Sequence, residues 1–291
     1  MDNLLDDILP IEPANMIPSG AKLSALSQKD FYRAIKKANS LPSRKKSTNI
    51  IGRIQACTKE SYNTAPTTGA IWRPARHKDL TKKTQEFMWK CFHDAFKIGK
   101  YWDNITNYEH RGRCSHCDIE ESMEHILTEC NAPGRTQIWT LANELWSKRS
   151  QIPIPSNYGA LLGCRLTDFK KNNEKSDKGL NRLFRIIISE SIYMIWKIRC
   201  KRTITWGGDP EKNHSAHEIH NKWLQAINSR LKTDSIQTNT KIFKKKAIKA
   251  KTVLQTWKNC LKDNLHKTRN WCGKTGVLVG IAPKRPPGRF G

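Results

Sequence analysis

Four potential metal ligands lie close together in the order Cys114, Cys117, His125 and Cys130. A Cys-x2-Cys pair lets one tight turn present two thiolates to a single ion. Zinc prefers four sulfur or nitrogen ligands in a tetrahedron, and one His and one further Cys complete that set here. The spacing therefore predicts a zinc site in which protein fills every position. Because no position remains for water, the pattern favours a structural over a catalytic metal.

The second half of this site is predicted to be helical. Residues 121–129 (ESMEHILTE) have the composition of about two helical turns. Residues five apart on an ideal helix point about 140 degrees away from each other, so His125 and Cys130 cannot share one helical face. The run NAPG at 131–134 stops a helix. We therefore expect Cys130 to lie beyond the last turn, from which its thiol can reach the same ion.

Two alternative roles for these cysteines stay open. One is a set of reduced thiols in a small core. The second is a redox pair at Cys114 and Cys117, although the strand-to-helix setting of that motif is missing. His110 and His116 are left out of the ligand set, because a further ligand in the Cys-x2-Cys turn would point away from the ion.

The charge of the chain favours a polyanionic partner. Its 291 residues include 52 Lys and Arg against 26 Asp and Glu, which gives a net charge of +26. Nucleic acid, either RNA or DNA, is the usual partner of such a chain, and an anionic membrane surface is the weaker option. Charged residues interrupt the most apolar stretch, 180–200, so no segment is predicted to span a bilayer.

The cysteine content indicates the compartment. There are nine cysteines, an odd number, and the acidic start of the chain carries no apolar signal segment. Both features favour a reducing environment in which thiols stay free or bind metal. We therefore expect an intracellular protein, and the basic charge points to the nucleus.

Apolar periodicity predicts a mainly α fold. Helices are expected at 27–39, 80–102, 136–146, 180–196 and 219–231, and the turn WGGDP at 206–210 separates the last two. Residues 40–70 are rich in Ser, Thr, Asn and Pro and are expected to be a linker. The predicted architecture has helices packed around a small Cys-Cys-His-Cys zinc loop, followed by a basic helical region, with disordered ends.

Changes in composition divide the chain into five predicted segments. These are a leader and linker with one short helix (1–60), a zinc-binding helical domain (61–165), a polar linker (166–179), a basic helical region (180–272) and a disordered basic tail (273–291).

A helix from about residue 241 to 265 is predicted to contact nucleic acid. Its opening turns hold six lysines with no acidic residue between them: Lys241, Lys244, Lys245, Lys246, Lys249 and Lys251. Positive charge at the start of a helix opposes the helix dipole. A phosphate backbone alongside would relieve this repulsion and release counterions. The alternative is a solvated basic face or a nuclear import signal.

A hydrolase is the remaining enzymatic alternative. His217, Glu218 and His220 approach the metalloprotease pattern, but that pattern needs its histidines four residues apart, one more than here. We therefore expect His214, His217 and His220 to form a solvated face, and no catalytic residue is predicted.

Several short motifs accompany the metal site. They are WRPARHKDL at 72–80 with the helix after it, PGRTQIW at 133–139, GAKLS at 20–24 and GVLVGI at 276–281. Together with the Cys-x2-Cys-x7-His-x4-Cys set they resemble the reverse-transcriptase zinc-binding region of fungal non-LTR retrotransposons, and the resemblance covers most of the chain. In that family the region follows reverse transcriptase and a ribonuclease H domain, and it is expected to help hold element RNA or target DNA.

The resemblance implies the same metal ligands, Cys114, Cys117, His125 and Cys130. It also places Glu121 at the family's acidic position four before the histidine, without a chemical role. Because the chain begins about where the ribonuclease H domain would end, neither that domain's carboxylate cluster nor a polymerase palm is expected.

The expected function is that of a non-catalytic, nucleic-acid-binding zinc module, a retrotransposon-derived tail fragment. Its further partners would be the reverse transcriptase and ribonuclease H regions of the parent element, and no membrane is involved. The alternative is a host protein that docks another protein through the zinc region and the Trp-rich helices.

Overall fold

A computed structural model describes residues 26–38, 44–63, 65–72, 77–209, 211–262, 271–274 and 276–285. Chain contacts divide the protein into two units, Met1–Lys45 and Lys46–Gly291. The main element in the described part of the first unit is one helix, α1 (Gln28–Ala38). In its first turn, the Asp30 carboxylate accepts hydrogen bonds from the Ser27 N–H and hydroxyl. This helix confirms the one predicted at 27–39.

The second unit is mainly helical. Its α-helices are α2 (Lys45–Tyr62), α3 (Thr68–Trp72), α4 (Lys82–Phe92), α5 (Arg135–Ser147), α6 (Tyr158–Leu162), α7 (Lys178–Cys200), α8 (Ala216–Ile236), α9 (Thr240–Phe243) and α10 (Ala250–Thr256). Short 3-10 turns lie at Gly99–Tyr101, Glu109–Gly112 and Lys244–Lys246, and wider π-helical turns at His125–Glu129 and Lys201–Thr205. Among the described residues there are isolated β-bridges but no strand. The prediction of a mainly helical fold is confirmed.

Helix α7 forms the centre of this unit and packs against α4, α5, α8 and α10. Its apolar residues recur at helical spacing, and most of them are almost fully buried. The carboxylate of Asp177 caps the helix by accepting a hydrogen bond from the Leu180 N–H at 2.9 Å. Gly179 permits close packing with α10, because a Cβ there would lie 2.6 Å from the Gln255 carbonyl oxygen.

Three tryptophans anchor the core around α7. Trp146, Trp223 and Trp257 are fully buried, and each indole N–H has a partner. Trp223 donates to the Ser191 hydroxyl at 3.0 Å, and Trp257 donates to the Asp234 carboxylate at 2.8 Å. Burying an unpaired indole N–H costs free energy. These bonds therefore favour the helix arrangement in which each buried indole has its partner.

A network of paired charges is buried within this core. Arg182 on α7 donates to Asp79 at 2.9 Å and makes two bonds to Asp234 on α8, at 2.6 and 2.7 Å. Arg185 also donates to Asp79, at 3.0 Å. Burial alone would raise the pKa of Asp79, but the two guanidinium groups hold it below its ordinary value. This network joins the loop before α4 to α7 and α8.

The predicted linker at 40–70 is wrong for most of its length, because it contains α2 and α3. Ile51, Ile54 and Thr58 follow helical spacing on one face of α2 and are buried. The face packs against α6, where a Cβ on Gly159 would lie 2.7 Å from the Arg53 carbonyl oxygen. The Ser- and Thr-rich composition concealed this short apolar stripe.

The helix predicted at 80–102 ends early. It begins at Lys82, after the Thr81 side chain caps the Thr84 N–H, and ends at Phe92. Asp94 then adopts a φ of +44°, which a continuing helix does not allow. The helices predicted at 136–146, 180–196 and 219–231 correspond to α5, α7 and α8 and are confirmed.

The predicted polar linker 166–179 lies against the core of the second unit. The ring of Phe169 is 5.1 Å from that of Phe184 and 5.3 Å from that of Trp146. The Phe169 N–H donates to the Asn181 side chain at 2.7 Å.

Of the predicted disordered ends, residues 1–25 and 286–291 lie outside the described residues. The tail predicted to be disordered from residue 273 is wrong for 276–285, because Val279 and Ile281 are buried and the Gly280 N–H donates to the Cys260 carbonyl at 2.7 Å.

Candidate metal centre

The Cys-x2-Cys pair lies in a tight hairpin turn. An isolated antiparallel bridge pairs Arg113 with Glu120. Inside it, the Cys114 N–H donates to the Ile119 carbonyl at 2.9 Å, and the Asp118 N–H donates back to the Cys114 carbonyl at 2.8 Å. Asp118 has a φ of +50°, a left-handed conformation that Asp tolerates better than most residues. The turn brings the side chains of Cys114 and Cys117 to the same side.

The remaining two ligands come from a short helical turn and the residue that follows it. His125 opens the π-helical turn His125–Glu129, and the Cys130 N–H donates to the His125 carbonyl at 2.7 Å. This bond spans five residues, so the wide turn places Cys130 close to His125. Cys130 has left the helix, with φ −54° and ψ 129°. The expectation that Cys130 lies beyond the last helical turn is confirmed.

The four candidate ligands converge. One ligand atom from each of Cys114, Cys117, His125 and Cys130 lies within 4.8 Å of the others, so the cluster can hold one metal ion. The sulfurs of Cys114 and Cys130 are 3.7 Å apart. Two sulfurs bound at about 2.3 Å to a tetrahedral ion lie about 3.8 Å apart, whereas a disulfide needs about 2.05 Å. The cluster thus has the dimensions of a metal site and not those of a disulfide.

His125 supplies the clearest sign that the cluster suits a metal. Its side chain is buried, and neither ring nitrogen has a hydrogen-bond partner. The nearest carboxylate oxygen, on Glu129, is 3.7 Å from Nδ1, which is too far for a hydrogen bond. A buried imidazole without partners is costly, and a metal ion at one nitrogen would supply the missing interaction.

The surroundings favour thiolates over thiols. Backbone N–H groups of Asn131 and Ala132 point at the sulfurs of Cys117 and Cys130, each at 3.4 Å. The hydrogen bond from the Cys130 thiol lowers the pKa of Cys114 far below its ordinary value, and the same contact raises the pKa of Cys130, so one thiolate forms readily within this pair. Donors directed at sulfur stabilise the negative charge that a metal-binding cysteine carries.

A buried ion pair attaches the segment Cys114–Cys130, which we call the metal loop, to the central helix α7. Glu121, four residues before His125, accepts two hydrogen bonds from Arg199 near the end of α7, one of them at 2.9 Å. Both side chains are buried. In the sequence Glu121 has no evident role and Arg199 gives no signal, because 78 residues separate them. The one hint is an acidic residue beside the metal ligands in a very basic chain.

Gly99 provides a second attachment for the loop. Its φ is +53°, and a Cβ on it would lie 2.4 Å from the Glu121 carbonyl oxygen. Only glycine permits this approach of the 3-10 turn Gly99–Tyr101 to the metal loop. His110 and His116 are both exposed and lie outside the four-residue cluster, in agreement with their omission from the ligand set.

The six lysines predicted to bind nucleic acid are all exposed, but they do not lie on one helix. Lys241 is on α9, Lys244 to Lys246 form the 3-10 turn, and α10 begins only after Lys249. The helix predicted at 241–265 is therefore wrong. At Lys244 the backbone turns, with φ 48° and ψ −128°. None of the six has a carboxylate partner within 4 Å among the described residues.

His214, just before α8, and His220, on α8, do not belong to the solvated face that the sequence predicted. His214 and His220 are buried, and His220 Nε2 lies 2.8 Å from the Ala282 carbonyl oxygen. Glu218, the general base of the hydrolase alternative, is held by Lys222 at 2.7 Å and His214 at 2.8 Å. These contacts lower its pKa to about 2, so it is a weak base near neutral pH.

Comparison of the chain with protein-family models, with curated proteins and with solved structures finds no match. Within the described part of the chain, no helix combines the length and the apolar character needed to cross a bilayer.

Proposed function

We propose that this protein is a non-catalytic module that holds one structural zinc ion and binds nucleic acid. The observation that carries the proposal is the convergence of three cysteines and one buried histidine in a chain of net charge +26. A set of thiolates and imidazole suits zinc, and four protein ligands leave no position for a substrate. When bound, the ion would join the hairpin turn to the ligand helix and so support folding.

The surface lysines support nucleic acid as the partner. Lys241, Lys244, Lys245, Lys246, Lys249 and Lys251 occupy one short segment, and none has a carboxylate within 4 Å among the described residues. Such a segment repels itself unless counterions or phosphates neutralise it. Binding to a phosphate backbone releases those counterions and is favourable at low salt.

The origin and location of the protein are part of the same proposal. The motifs that resemble the reverse-transcriptase zinc-binding region suggest a retrotransposon-derived fragment that acts on element RNA or target DNA in the nucleus. Reverse transcriptase and ribonuclease H regions of a parent element are the matching protein partners.

Burial of the tryptophans weighs against the docking alternative. Trp146, Trp223, Trp257 and Trp271 are each at most 2% exposed, so they build the core and offer no surface to a partner. Of the remaining six tryptophans, Trp89 is 46% exposed and the other five are half-buried. Isolated exposed aromatics are normal on protein surfaces and do not indicate an interface.

The test is a salt titration of binding to a labelled single-stranded RNA. Each neutralised phosphate contributes a slope of about −0.7 in log K against log salt, so six lysines predict about −4. Replacing Lys244, Lys245 and Lys246 with Gln should reduce the slope by about 2.

The matched control removes three exposed lysines elsewhere, Lys59, Lys171 and Lys175, and should change the slope less. Failure of the wild-type chain to bind, or binding that salt does not weaken, would contradict the proposed function. Apolar docking would show the second behaviour, because salt does not weaken burial of apolar surface.

A further inference from the structure

A cleft of about 580 Å³ opens beside the metal loop. Its walls come from residues 95–102 after α4, residues 110–115 at the start of the loop, and the end of α7 with the π-helical turn after it. We call this the loop cleft. Its volume falls within the range of about 300–1,000 Å³ that ligand pockets have. Cys114, a candidate metal ligand, lies in its wall, so the metal loop shapes the cleft directly.

Aromatic side chains line the loop cleft. The Trp102 indole is oriented by its N–H, which donates to the Lys97 carbonyl at 2.9 Å. It is partly exposed and does not belong to the hydrophobic core. The Arg111 guanidinium lies 5.3 Å from the centre of the Trp102 ring, a cation–π contact. At another part of the wall, Phe96 and Trp196 have ring centres 4.4 Å apart.

The loop cleft has an excess of positive charge. Seven of its lining residues are Lys, Arg or His, and carboxylates pair with three of them: Glu86 with Lys90, Asp118 with Arg113 and Glu121 with Arg199. Glu121 is its single lining carboxylate, and the buried pair with Arg199 neutralises it. Lys97 and Arg111 are exposed, and neither has a carboxylate within 4 Å among the described residues.

Arg202 is a buried cation in the wall of the cleft. Its side chain lies in the wall and is only 6% exposed, yet its Nε has no hydrogen-bond partner. Within the described parts of the chain no carboxylate approaches it to 4 Å. The buried Arg182 and Arg199 are paired with carboxylates, whereas Arg165, outside the cleft, has partnerless guanidinium nitrogens like Arg202 and lies over the Phe92 ring. A buried guanidinium N–H without an acceptor is costly, and a phosphate oxygen would supply one together with a negative charge.

We infer that the loop cleft is a binding site for single-stranded nucleic acid, with a base stacked on Trp102 and a phosphate bound by Arg111 and Arg202. The inference rests on the proposed function and adds the site and the class of strand. Aromatic and cationic side chains alternate around the cleft as in single-strand binding proteins. A base exposes its face to an indole only when it is unpaired, so the cleft favours single strands over duplexes.

The first test compares variants of the full chain for binding to a labelled oligouridine, with the matching single-stranded DNA and an RNA duplex as further probes. Trp102→Ala should weaken single-strand binding about 5- to 100-fold, the usual effect of losing one stacking partner. Trp102→Phe, which keeps an aromatic ring, should recover most of it. Trp89→Ala, an exposed tryptophan outside the cleft, is the matched control and should bind like the wild type.

The second test uses Arg202→Met, which removes the buried charge and keeps the length of the side chain. We expect single-strand binding to weaken while the thermal midpoint stays equal or rises, because a buried cation without a partner is lost. A structural role for Arg202 predicts the opposite, a lower midpoint with unchanged affinity of the folded protein.

The outcomes separate this inference from the proposed function. If the wild type binds RNA and Trp102→Ala and Arg202→Met bind equally well, the loop cleft is not the site, although the basic module stands. Tighter binding of the duplex than of either single strand would also overturn the inference. If the wild type binds no nucleic acid, the proposed function fails with it. Tighter binding of single-stranded RNA or DNA than of the duplex supports the site. The single strand that binds more tightly is then the preferred one.

Discussion

The carboxylates in the interior of this basic protein differ in whether a cation is paired with them. Asp79, Glu121 and Asp234 are each held by at least one guanidinium group. Glu190 on α7, which is half-buried, differs because it has no cation within 4 Å among the described residues. Its pKa is raised above its ordinary value of 4.5 by burial, an effect that the more distant charges of Arg230 and Lys197 only partly offset.

We predict that Glu190→Gln becomes increasingly stabilising as the pH rises above 4.5. Between the ordinary pKa and the raised one, the unfolded chain has lost the proton that the folded chain retains. Raising the pH therefore favours unfolding of the wild type, whereas Gln does not titrate. Urea unfolding of both proteins from about pH 5 to pH 8 measures the difference between them, in which any effect of metal release common to both cancels.

The control for this prediction is Glu86→Gln on the exposed face of α4. The hydrogen bond from Lys90 lowers the pKa of Glu86, so this variant should show a small pH trend of opposite sign. A Glu190→Gln effect that is independent of pH would show that the carboxyl group ionises as easily in the folded protein as in the unfolded one.

At the scale of elements, the sequence predicted helices wherever apolar residues recur without interruption. Helices α5, α7 and α8 have such stripes, and their buried residues are the ones expected. Helix α2 was missed because Ser, Thr and Asn around Ile51 and Ile54 dilute the pattern. The ends of α4 and α9 were missed because Asp94 and Lys244, neither Gly nor Pro, adopt positive φ. Contacts elsewhere in the fold impose such turns, and propensity does not reveal them.

Lys244 gives a prediction at this scale. Its φ of 48° and ψ of −128° lie in a region that suits glycine and costs other residues about 1–3 kcal/mol. Lys244→Gly should therefore raise the free energy of unfolding by about 1 kcal/mol, since glycine's greater freedom in the unfolded chain offsets part of the relief.

Lys245→Gly is the matched control, because it removes the same charge from the next position, which has no positive φ. It should lower the free energy of unfolding or leave it unchanged. Equal effects of the two variants in urea unfolding would show that charge removal, and not backbone strain, decides the outcome.

At the scale of the whole molecule, the metal loop and the central helix depend on each other. The Glu121–Arg199 pair and the close approach of Gly99 attach the loop to the rest of the second unit. The four ligands could be predicted because they are close in sequence and their chemistry is specific. The loop cleft could not, because its walls come from three segments up to about 100 residues apart. The burial of Arg202 and its position in the cleft wall follow from the fold and leave no signal in the sequence.

The most direct test of the metal centre is the zinc content of the purified full chain after extensive dialysis. We predict one zinc ion per chain, lost in Cys117→Ala together with thermal stability, because metal binding and folding of the loop are coupled. Cys272→Ala, at a half-buried cysteine outside the cluster, should keep its zinc. Folded wild-type protein without zinc, or zinc retained in full by Cys117→Ala, would contradict the four-ligand site.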